Sequence, residues 1–320
     1  MKLIKNLIYC LLIVFLLNSC DNKPIPLRVG LLVWPPYEFF YLAEKEGFYD
    51  EYSIDLIDYK TPSEVMRAYN NGLLDAIIIT NHLYIQLNND FQRDQIIQVI
   101  NYSKGADVLL VKPEFNSVND LVGKRIGAEA SGLGLYVLQR FLEFNNISID
   151  QSNYVPVDVA NQVEEFRDGK IDAVITYEPF ATKIKILSGK EIFNSSQIPF
   201  EICDVLISKK KIIESKKDQF ISLSKGYFKA LNLFKVNPDA YEEFLAEREG
   251  ISPKEFIKAL NGIEILDLNE NQKLFTDNKD IDFLLRLENV NKKMVEFGIV
   301  KNVINSRNIL NSNIIMSIEE

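Results

Sequence analysis

The sequence has few of the residues that build covalent cross-links, metal sites or catalytic centres. It contains three cysteines and one histidine among 320 residues. Cys10 and Cys20 belong to an N-terminal segment described below, so Cys203 is the only cysteine of the main body and an intrachain disulfide is excluded there. The single histidine, His82, excludes a metal site built from several histidines and argues against a nucleophilic triad. We therefore predict a chain without a metal, a cofactor or catalytic residues, stabilised by packing.

Positive charge is also scarce. The chain carries 36 lysines and arginines against 45 acidic residues, a net charge of -9 at pH 7. Two of the lysines, Lys2 and Lys5, lie in the N-terminal segment, so the main body is more acidic still. Nucleic-acid binding depends on a basic surface that neutralises phosphates. The composition therefore predicts that nucleic acid is not a partner.

A long hydrophobic run is missing as well. The N-terminal apolar stretch, Leu7 to Leu17, spans 11 residues, and a helix needs about 20 to cross a bilayer. Lys2 and Lys5 precede it and Ser19-Cys20 closes it, so we predict that residues 1–19 are a secretory signal peptide. The ending 17–20 (Leu-Asn-Ser-Cys) resembles the lipobox of bacterial lipoproteins, which implies a lipid on Cys20. Ordinary cleavage with a free Cys20 is the alternative.

Acyl chains on Cys20 would hold the protein at a membrane, because each buried methylene contributes about 0.8 kcal/mol. Residues 20–26 are then predicted to be a tether. Asp21 resembles the signal that keeps lipoproteins on the inner membrane of enteric bacteria. We therefore expect a lipid-anchored protein on the cell membrane that faces the periplasm or the extracellular side.

Apolar runs typical of strands alternate with helical patterns in the main body. Six such runs are Leu27 to Val33, Ile54 to Tyr59, Ala76 to Thr80, Arg125 to Ala128, Tyr154 to Val157 and Ala173 to Thr176. The alternation indicates βαβ units, so the predicted fold class is α/β with mainly parallel sheets flanked by helices.

The chain also repeats itself at an offset of about 97 residues. The tripeptide 28–30 (Arg-Val-Gly) recurs at 125–127 (Arg-Ile-Gly), and the pattern Gly72, Asp75, Ala76 recurs at 169, 172 and 173. A single duplication of this length predicts two similar lobes rather than a solenoid. We interpret the repeated aspartates before the strands as turn residues with a structural role.

Two similar segments, 105–112 and 202–208, are predicted to cross between the lobes as a hinge. Lobe 1 would then comprise residues 27–111 and 205–300, and lobe 2 residues 112–204. Residues 301–320 would form a C-terminal tail. In open α/β sheets the ligand binds beyond the carboxyl ends of the strands, so corresponding loops of the two lobes should face each other across a cleft.

Nine residues of these loops and crossovers are candidates for ligand binding. They are Trp34, Tyr37, Asn81, Tyr102, Ser131, Gly132, Asp158, Tyr177 and Glu178. Trp34 is the only tryptophan, and two prolines after it stiffen the loop, so it could form an aromatic wall for a flat ligand; core packing is the alternative. Ser131 and Gly132 precede a helix and could present backbone N–H groups to an anion, or Ser131 could simply cap that helix.

Five segments resemble the periplasmic binding proteins that import nitrate, sulfonates, taurine and thiamine precursors. They are 33–38 (VWPPYE, continued by 41–43 and 47–49), 101–107 (NYSKGAD), 120–127 (DLVGKRIG), 176–179 (TYEP) and 194–199 (NSSQIP). The resemblance covers about residues 27 to 210. It implies a monomeric, two-lobed (type II) binding fold that closes on a small solute and delivers it to an ABC permease and its ATPase, without enzymatic activity.

The charges near the predicted cleft favour one class of solute. Lys104 is the only cation there, whereas Glu129, Asp158, Glu178 and Asp204 are acidic. Carboxylates with aromatic rings suit amines, so an amino-substituted heterocycle such as a thiamine-type pyrimidine is favoured over a sulfonate or nitrate. A sensing or interaction lipoprotein remains the second interpretation, and an enzyme of pyrimidine synthesis the third.

Overall fold

The computed structural model describes residues 25–49, 52–89, 94–115, 117–130, 132–148, 151–276, 279–305 and 308–319. The strands in this part of the chain are β1 (Leu27–Leu31), β2 (Ile54–Asp58), β3 (Ala76–Thr80), β4 (Asp94–Ser103), β5 (Asp107–Val111), β6 (Arg125–Ala128), β7 (Asn153–Pro156), β8 (Ala173–Tyr177), β9 (Lys190–Asn194), β10 (Cys203–Lys209) and β11 (Ile263–Ile265). The α helices are α1 (Glu38–Lys45), α2 (Pro62–Asn70), α3 (Asn81–Leu87), α4 (Gly132–Phe144), α5 (Val159–Arg167), α6 (Phe180–Ile186), α7 (Lys210–Ser215), α8 (Lys217–Val236), α9 (Glu242–Glu249), α10 (Pro253–Leu260), α11 (Leu268–Leu274) and α12 (Lys279–Glu296).

Two mixed sheets form the centres of two lobes. The first has the strand order β11-β4-β10-β3-β1-β2, and the second has the order β7-β6-β8-β5-β9. In both, three parallel strands joined by helices (β2-β1-β3 and β7-β6-β8) are extended by an antiparallel strand, β10 in the first sheet and β5 in the second. The α/β class with helix-flanked sheets is thus confirmed. The sheets are mixed rather than mainly parallel, because β10, β4 and β11 of the first sheet and β5 and β9 of the second pair antiparallel with their neighbours.

The chain crosses between the two sheets twice. After β4 of the first sheet it enters the second sheet as β5, and after β9 it returns as β10. Because β5 pairs with β8 and β9 along its whole length, the lobe boundary lies before Asp107 and not after Val111 as the sequence analysis placed it.

The repeated sequence motif builds the same clamp in both lobes. Arg28 binds Asp75 through its backbone N–H and its side chain at 2.9–3.1 Å, and its guanidinium also donates to the Gly72 carbonyl. Arg125 makes the same set of bonds to Asp172 and to the Gly169 carbonyl. These bonds tie the turn before β3 or β8 to the first strand of each lobe. They agree with a structural role for the two aspartates.

The C-terminal segment packs on the first lobe. The Asn311 backbone N–H donates to the Ile96 carbonyl at 2.8 Å, and Ile314 and Ile315 are fully buried. Residues 308–319 therefore close the edge of the lobe next to β4. Among the described residues, no helix combines the length and the apolar character needed to cross a bilayer.

Candidate ligand cleft

A small cavity lies between the lobes, at the carboxyl ends of the parallel strands and beside both crossover strands. Its lining residues come from both lobes: Leu32, Val33, Trp34, Tyr37, Pro62, Thr80, Leu83, Asp107, Glu129, Leu133, Tyr177, Ile202 and Asp204. About 30 Å³ is open to the centre of a water-sized sphere, which is room for roughly two waters. A larger solute therefore requires the lobes to separate before it can enter.

Trp34 is held rigidly in the wall of this cavity. It follows β1, and Pro35 and Pro36 begin a short 3₁₀ helix directly after it, which fixes the loop. Its indole N–H donates to Oδ1 of Asn101 at 3.1 Å, and its side chain is 6% exposed. The ring meets Tyr177 of the other lobe edge-on, with centroids 5.9 Å apart. The two lobes thus touch through these two aromatic rings.

Tyr37 and Tyr177 complete an aromatic wall around the cavity. Tyr37 is the last residue of the 3₁₀ helix and is almost fully buried. Tyr177 ends β8 and also packs edge-on against Phe180, at 5.8 Å. Burial raises the pKa of both phenols well above the usual value, and the charge of Asp204 adds to this. Both hydroxyls therefore keep their protons and can donate hydrogen bonds.

Two buried carboxyl groups face the cavity from the crossover strands. Asp107 begins β5 and Asp204 is the second residue of β10, and each is only 3% exposed. Burial raises the pKa of each carboxyl to about 7, and neighbouring polar groups oppose this, Ser103 at Asp107 and Asn101, Tyr37 and Trp34 at Asp204. The negative charge of Asp107 raises the pKa of Asp204 further. A nearby cation would stabilise the charged form of both groups.

The cavity wall carries acidic but no basic side chains among the described residues. Glu129 joins Asp107 and Asp204 in the lining. Lys104, which the sequence analysis placed at the cleft, instead forms an ion pair with Glu264 of β11 and is half exposed. Its side chain follows the outer edge of the first sheet, because Lys104 bonds through its backbone to Gly262 there. The site is therefore suited to positive or neutral hydrogen-bond donors.

Several of the predicted binding residues lie away from the cavity wall. Asn81 accepts from the Cys203 N–H and donates to the Glu201 carbonyl, so it holds the start of β10 in place. Tyr102 packs edge-on against Phe200 in a separate groove behind the hinge. Asp158 is exposed before α5 and borders a shallow surface depression.

Of the three remaining predicted residues, two make contacts outside the cavity lining and one is not described. The Gly132 N–H donates to the side chain of Gln86 in the first lobe, and a Cβ there would lie 3.2 Å from the His82 carbonyl, so this glycine permits close contact of the lobes. Glu178 accepts from the Thr182 N–H at 2.9 Å and thereby caps α6. Ser131 lies outside the described residues.

Asp107 was missed as a site residue, although the sequence carries a signal for it. The two crossover segments read Ala106-Asp107-Val108 and Cys203-Asp204-Val205. An acidic residue at the same place in both hinge strands is a pattern that an alignment of the two segments can find. Leu133 and Ile202 also line the cavity, and no feature of the sequence distinguishes them from core residues.

Further contacts between the lobes surround the cavity. On one side, Lys183 of α6 donates to the backbone carbonyl of Glu249 at the end of α9, at 2.8 Å. On the other side, His82 of α3 packs against Tyr136 of α4, with the rings tilted by 50° and their centroids 4.4 Å apart. His82 is fully buried, neither ring nitrogen has a hydrogen-bond partner, and burial lowers its pKa to about 3. The closed arrangement thus rests on contacts that separation of the lobes would break.

Solved structures of binding proteins share this architecture. The alkanesulfonate-binding protein SsuA from Xanthomonas axonopodis pv. citri, bound to MOPS, is 14% identical with a TM-score of 0.77, covering 91% of this chain and 100% of that one. The periplasmic aliphatic sulphonate-binding protein SsuA from Escherichia coli is 14% identical with a TM-score of 0.72, covering 89% and 91%. The zinc-bound ligand-binding component of an ABC-type import system from Staphylococcus aureus is 15% identical with a TM-score of 0.73, covering 92% and 99%.

At this level of identity the likeness establishes the fold. A search of curated proteins finds no match. The family model described as "NMT1/THI5 like" matches residues 34–241, which is more than half of the chain. This match includes the Trp34 loop, both crossover strands and all of the second lobe, and it supports a solute-binding role. The chain belongs to the NMT1/THI5-like family.

Proposed function

We propose that this protein is an extracytoplasmic solute-binding lipoprotein of an ABC importer. It would bind a small organic solute between its lobes and deliver it to a permease driven by an ATPase. The observation that carries the proposal is the cavity itself, because each lobe contributes both aromatic and acidic side chains to one wall.

Closure of the lobes would be the working step. A solute shifts a protein toward the closed form only if it binds that form more tightly than the open one. Here Trp34 and Tyr177 come from opposite lobes, so a ring inserted next to both contacts them together only when the lobes are closed. The permease would then recognise the closed conformation.

The charges of the cavity favour a solute that carries a protonated amine. Asp107 and Asp204 are buried, and their ionised forms lack a neutralising cation among the described lining residues. A protonated amino group would supply that charge through charge-assisted hydrogen bonds, while the aromatic wall would stack on a flat ring. No group of three or more His, Cys, Asp or Glu side chains in the described regions is arranged to hold a metal ion. We therefore favour an amino-substituted heterocycle such as a thiamine-precursor pyrimidine over a sulfonate or nitrate.

The last part of the proposal is that a lipid on Cys20 anchors the protein to the membrane. The signal segment and Cys20 lie outside the described residues, and the lipobox-like ending supports a lipid on Cys20. The described chain starts close to that position, at Ile25, and enters β1 at Leu27. A mature chain fixed at Cys20 would therefore expose both lobes to the aqueous phase outside the membrane.

Calorimetric titration of the mature chain with Cys20→Ser tests the binding role. Protein unfolded and refolded to remove retained solute would be titrated with aminopyrimidines, simple amines, taurine and nitrate. We expect saturable binding of an aminopyrimidine, weakened at least tenfold by Asp204→Asn and unchanged by Asp158→Asn, an acidic residue outside the cavity. Preference for taurine would overturn the ligand class. Binding of none of these by folded protein would favour the sensing or interaction role.

A further inference from the structure

A cluster of lysines lies where the tether enters the first lobe. Residues 209–218 include five lysines and only two acidic residues, Glu214 and Asp218, in a chain whose net charge is -9. Lys210 is 68% exposed, and Lys211 and Lys217 are also exposed. These three lysines, on α7 and at the start of α8, are named here the basal lysine face.

Hydrogen bonds fix the tether to this face. Lys216, between α7 and α8, donates to the Pro26 carbonyl at 2.6 Å and to Asp75 at 2.8 Å. Gln219 donates to the Ile25 carbonyl at 3.0 Å. Cys20 precedes Ile25 by five residues, and an extended chain spans at most about 3.6 Å per residue. Ile25, which is bonded next to the basal lysine face, therefore lies within about 18 Å of Cys20.

The face lies at the end of the lobe opposite the ligand cavity. In the first sheet Ser208 of β10 pairs with Ala76, the first residue of β3, and Ala76 pairs with Val29 near the start of β1. The lysines that follow β10 thus leave the sheet at the amino ends of β1 and β3. The cavity lies at the carboxyl ends of the same strands.

A groove beside these lysines offers further hydrogen-bond donors. It has a volume of about 240 Å³ and is lined by Lys210 and Lys217 together with Asn311, Ser312 and Asn313. Glu214 also borders it and lies 3.9 Å from the Lys210 ammonium, which reduces but does not cancel the positive charge. Ammonium, amide and hydroxyl groups around one opening suit a phosphate-bearing headgroup.

We propose that the basal lysine face rests on the anionic phospholipid surface into which Cys20 is anchored. In this resting orientation the first lobe would stand next to the membrane with the ligand cavity turned away from the bilayer surface, and the lobe would have to leave the surface before the protein docks on its permease. Each lysine near an anionic surface adds attraction that decays within a Debye length, so the contact would weaken as salt is raised. This inference rests on the proposed lipid anchor and is independent of the identity of the solute.

Lysine acetylation of the reconstituted lipoprotein tests this orientation. The full chain would be expressed, the lipid on Cys20 verified by mass spectrometry, and the protein inserted into vesicles of phosphatidylcholine with or without about one third phosphatidylglycerol. We expect Lys210, Lys211 and Lys217 to react at least threefold more slowly on the anionic vesicles. This difference should disappear in about 0.5 M salt. Lys170 and Lys292, which are both 58% exposed, are the controls and should react equally on both.

The possible outcomes separate the two proposals. Equal labelling of the basal lysine face on both vesicle types, on protein that carries the lipid, would overturn the orientation and leave the anchor intact. Absence of a lipid on Cys20 would overturn the anchor and the orientation together. Solute binding, measured with the Cys20→Ser chain, would stand in either case.

Discussion

Lys183 of the second lobe donates a hydrogen bond to the backbone carbonyl of Glu249 in the first lobe, across the mouth of the cleft. Glu249 ends α9, so the ammonium group lies where the helix dipole is negative. The contact removes part of the ammonium from water, and this burial lowers the pKa of Lys183. This bond exists only while the lobes are together.

Replacing Lys183 by methionine should therefore favour the open form. A bond from a charged donor contributes about 1.5–3 kcal/mol when buried, and partial exposure reduces this, so we expect solute affinity to fall about tenfold. The thermal unfolding of each lobe should change little. Calorimetric titration gives the affinity, and small-angle scattering gives the increase in radius of gyration.

Lys185→Met is the matched control for this change. Lys185 lies on the same helix but pairs with Glu191 inside the second lobe, at 2.9 Å. Removing it should leave both the affinity and the radius of gyration unchanged. Equal loss of affinity in the two variants would show that the effect of Lys183 is a general effect of charge.

The two cavity aspartates should make stability depend on pH. Their pKa is about 7 in the folded chain and ordinarily 3.8. Between about pH 4 and 7 the folded protein holds protons that the unfolded chain has released, so the free energy of unfolding should fall as pH rises, by about 1.4 kcal/mol per unit for each proton. Above about pH 7 the loss should level off. Urea unfolding at several pH values measures this slope.

His82 gives the free energy of unfolding the opposite pH dependence, because its pKa is about 3 in the folded chain and ordinarily 6.5. Its contribution to the free energy of unfolding rises with pH between those values. The informative quantity is therefore the difference between the wild type and Asp107→Asn, which should be more stable relative to the wild type at pH 8 than at pH 5. A difference that does not change with pH would contradict the buried, protonatable role of Asp107.

The two arginine clamps offer an internal comparison at the 97-residue offset. Asp75 is 6% exposed and binds both Arg28 and Lys216, whereas Asp172 is 17% exposed and binds Arg125. These partners hold the pKa of Asp75 at about 2, so its stabilising charge is present above about pH 4 and is lost as pH falls toward 2. We expect Asp75→Asn to lower the free energy of unfolding at pH 7 by about 2 kcal/mol, and Asp172→Asn by less. The reverse order in denaturant titrations would show that burial does not decide the contribution of this motif.

The bond between Trp34 and Asn101 should be visible in stability. Trp34→Phe keeps an aromatic wall but leaves the buried Asn101 oxygen without its donor, so the free energy of unfolding should fall by about 1–3 kcal/mol. Adding Asn101→Leu should recover part of the loss, because both polar partners are then replaced by apolar groups. Chemical unfolding of the two single variants and the double variant gives the comparison. A double variant less stable than Trp34→Phe would contradict this account.

Much of the fold could be predicted because its signals are local. The strands β3 and β6 have the predicted limits, and the 97-residue repeat identified both lobes before any contact was known. The strand β4 was not recognised, since its polar positions Gln95, Gln98 and Asn101 interrupt the alternation expected of a strand. Two of these side chains are bonded by residues distant in sequence: Asn101 accepts from Trp34, and Gln95 accepts from Asn311 of the C-terminal segment.

The site was predicted less completely than the fold. Trp34, Tyr37 and Tyr177 line the cavity because they lie in the short connection after β1 or at the end of β8, where sequence position determines location. Asn81 and Glu178 stand at similar positions, yet their side chains bond to nearby backbone groups. Whether a polar side chain faces a cleft or satisfies a neighbouring N–H depends on the angle at which it leaves the strand, and the sequence does not report that angle.

Because Trp34 is the only tryptophan and lies in the cavity wall, the native chain carries its own optical reporter. The indole is shielded from water, bonded to an amide and in contact with a tyrosine of the opposite lobe. Separation of the lobes would expose it to solvent and shift its emission to longer wavelength. Opening and closing can therefore be followed in real time on the unlabelled protein, with a signal that arises from a single known position.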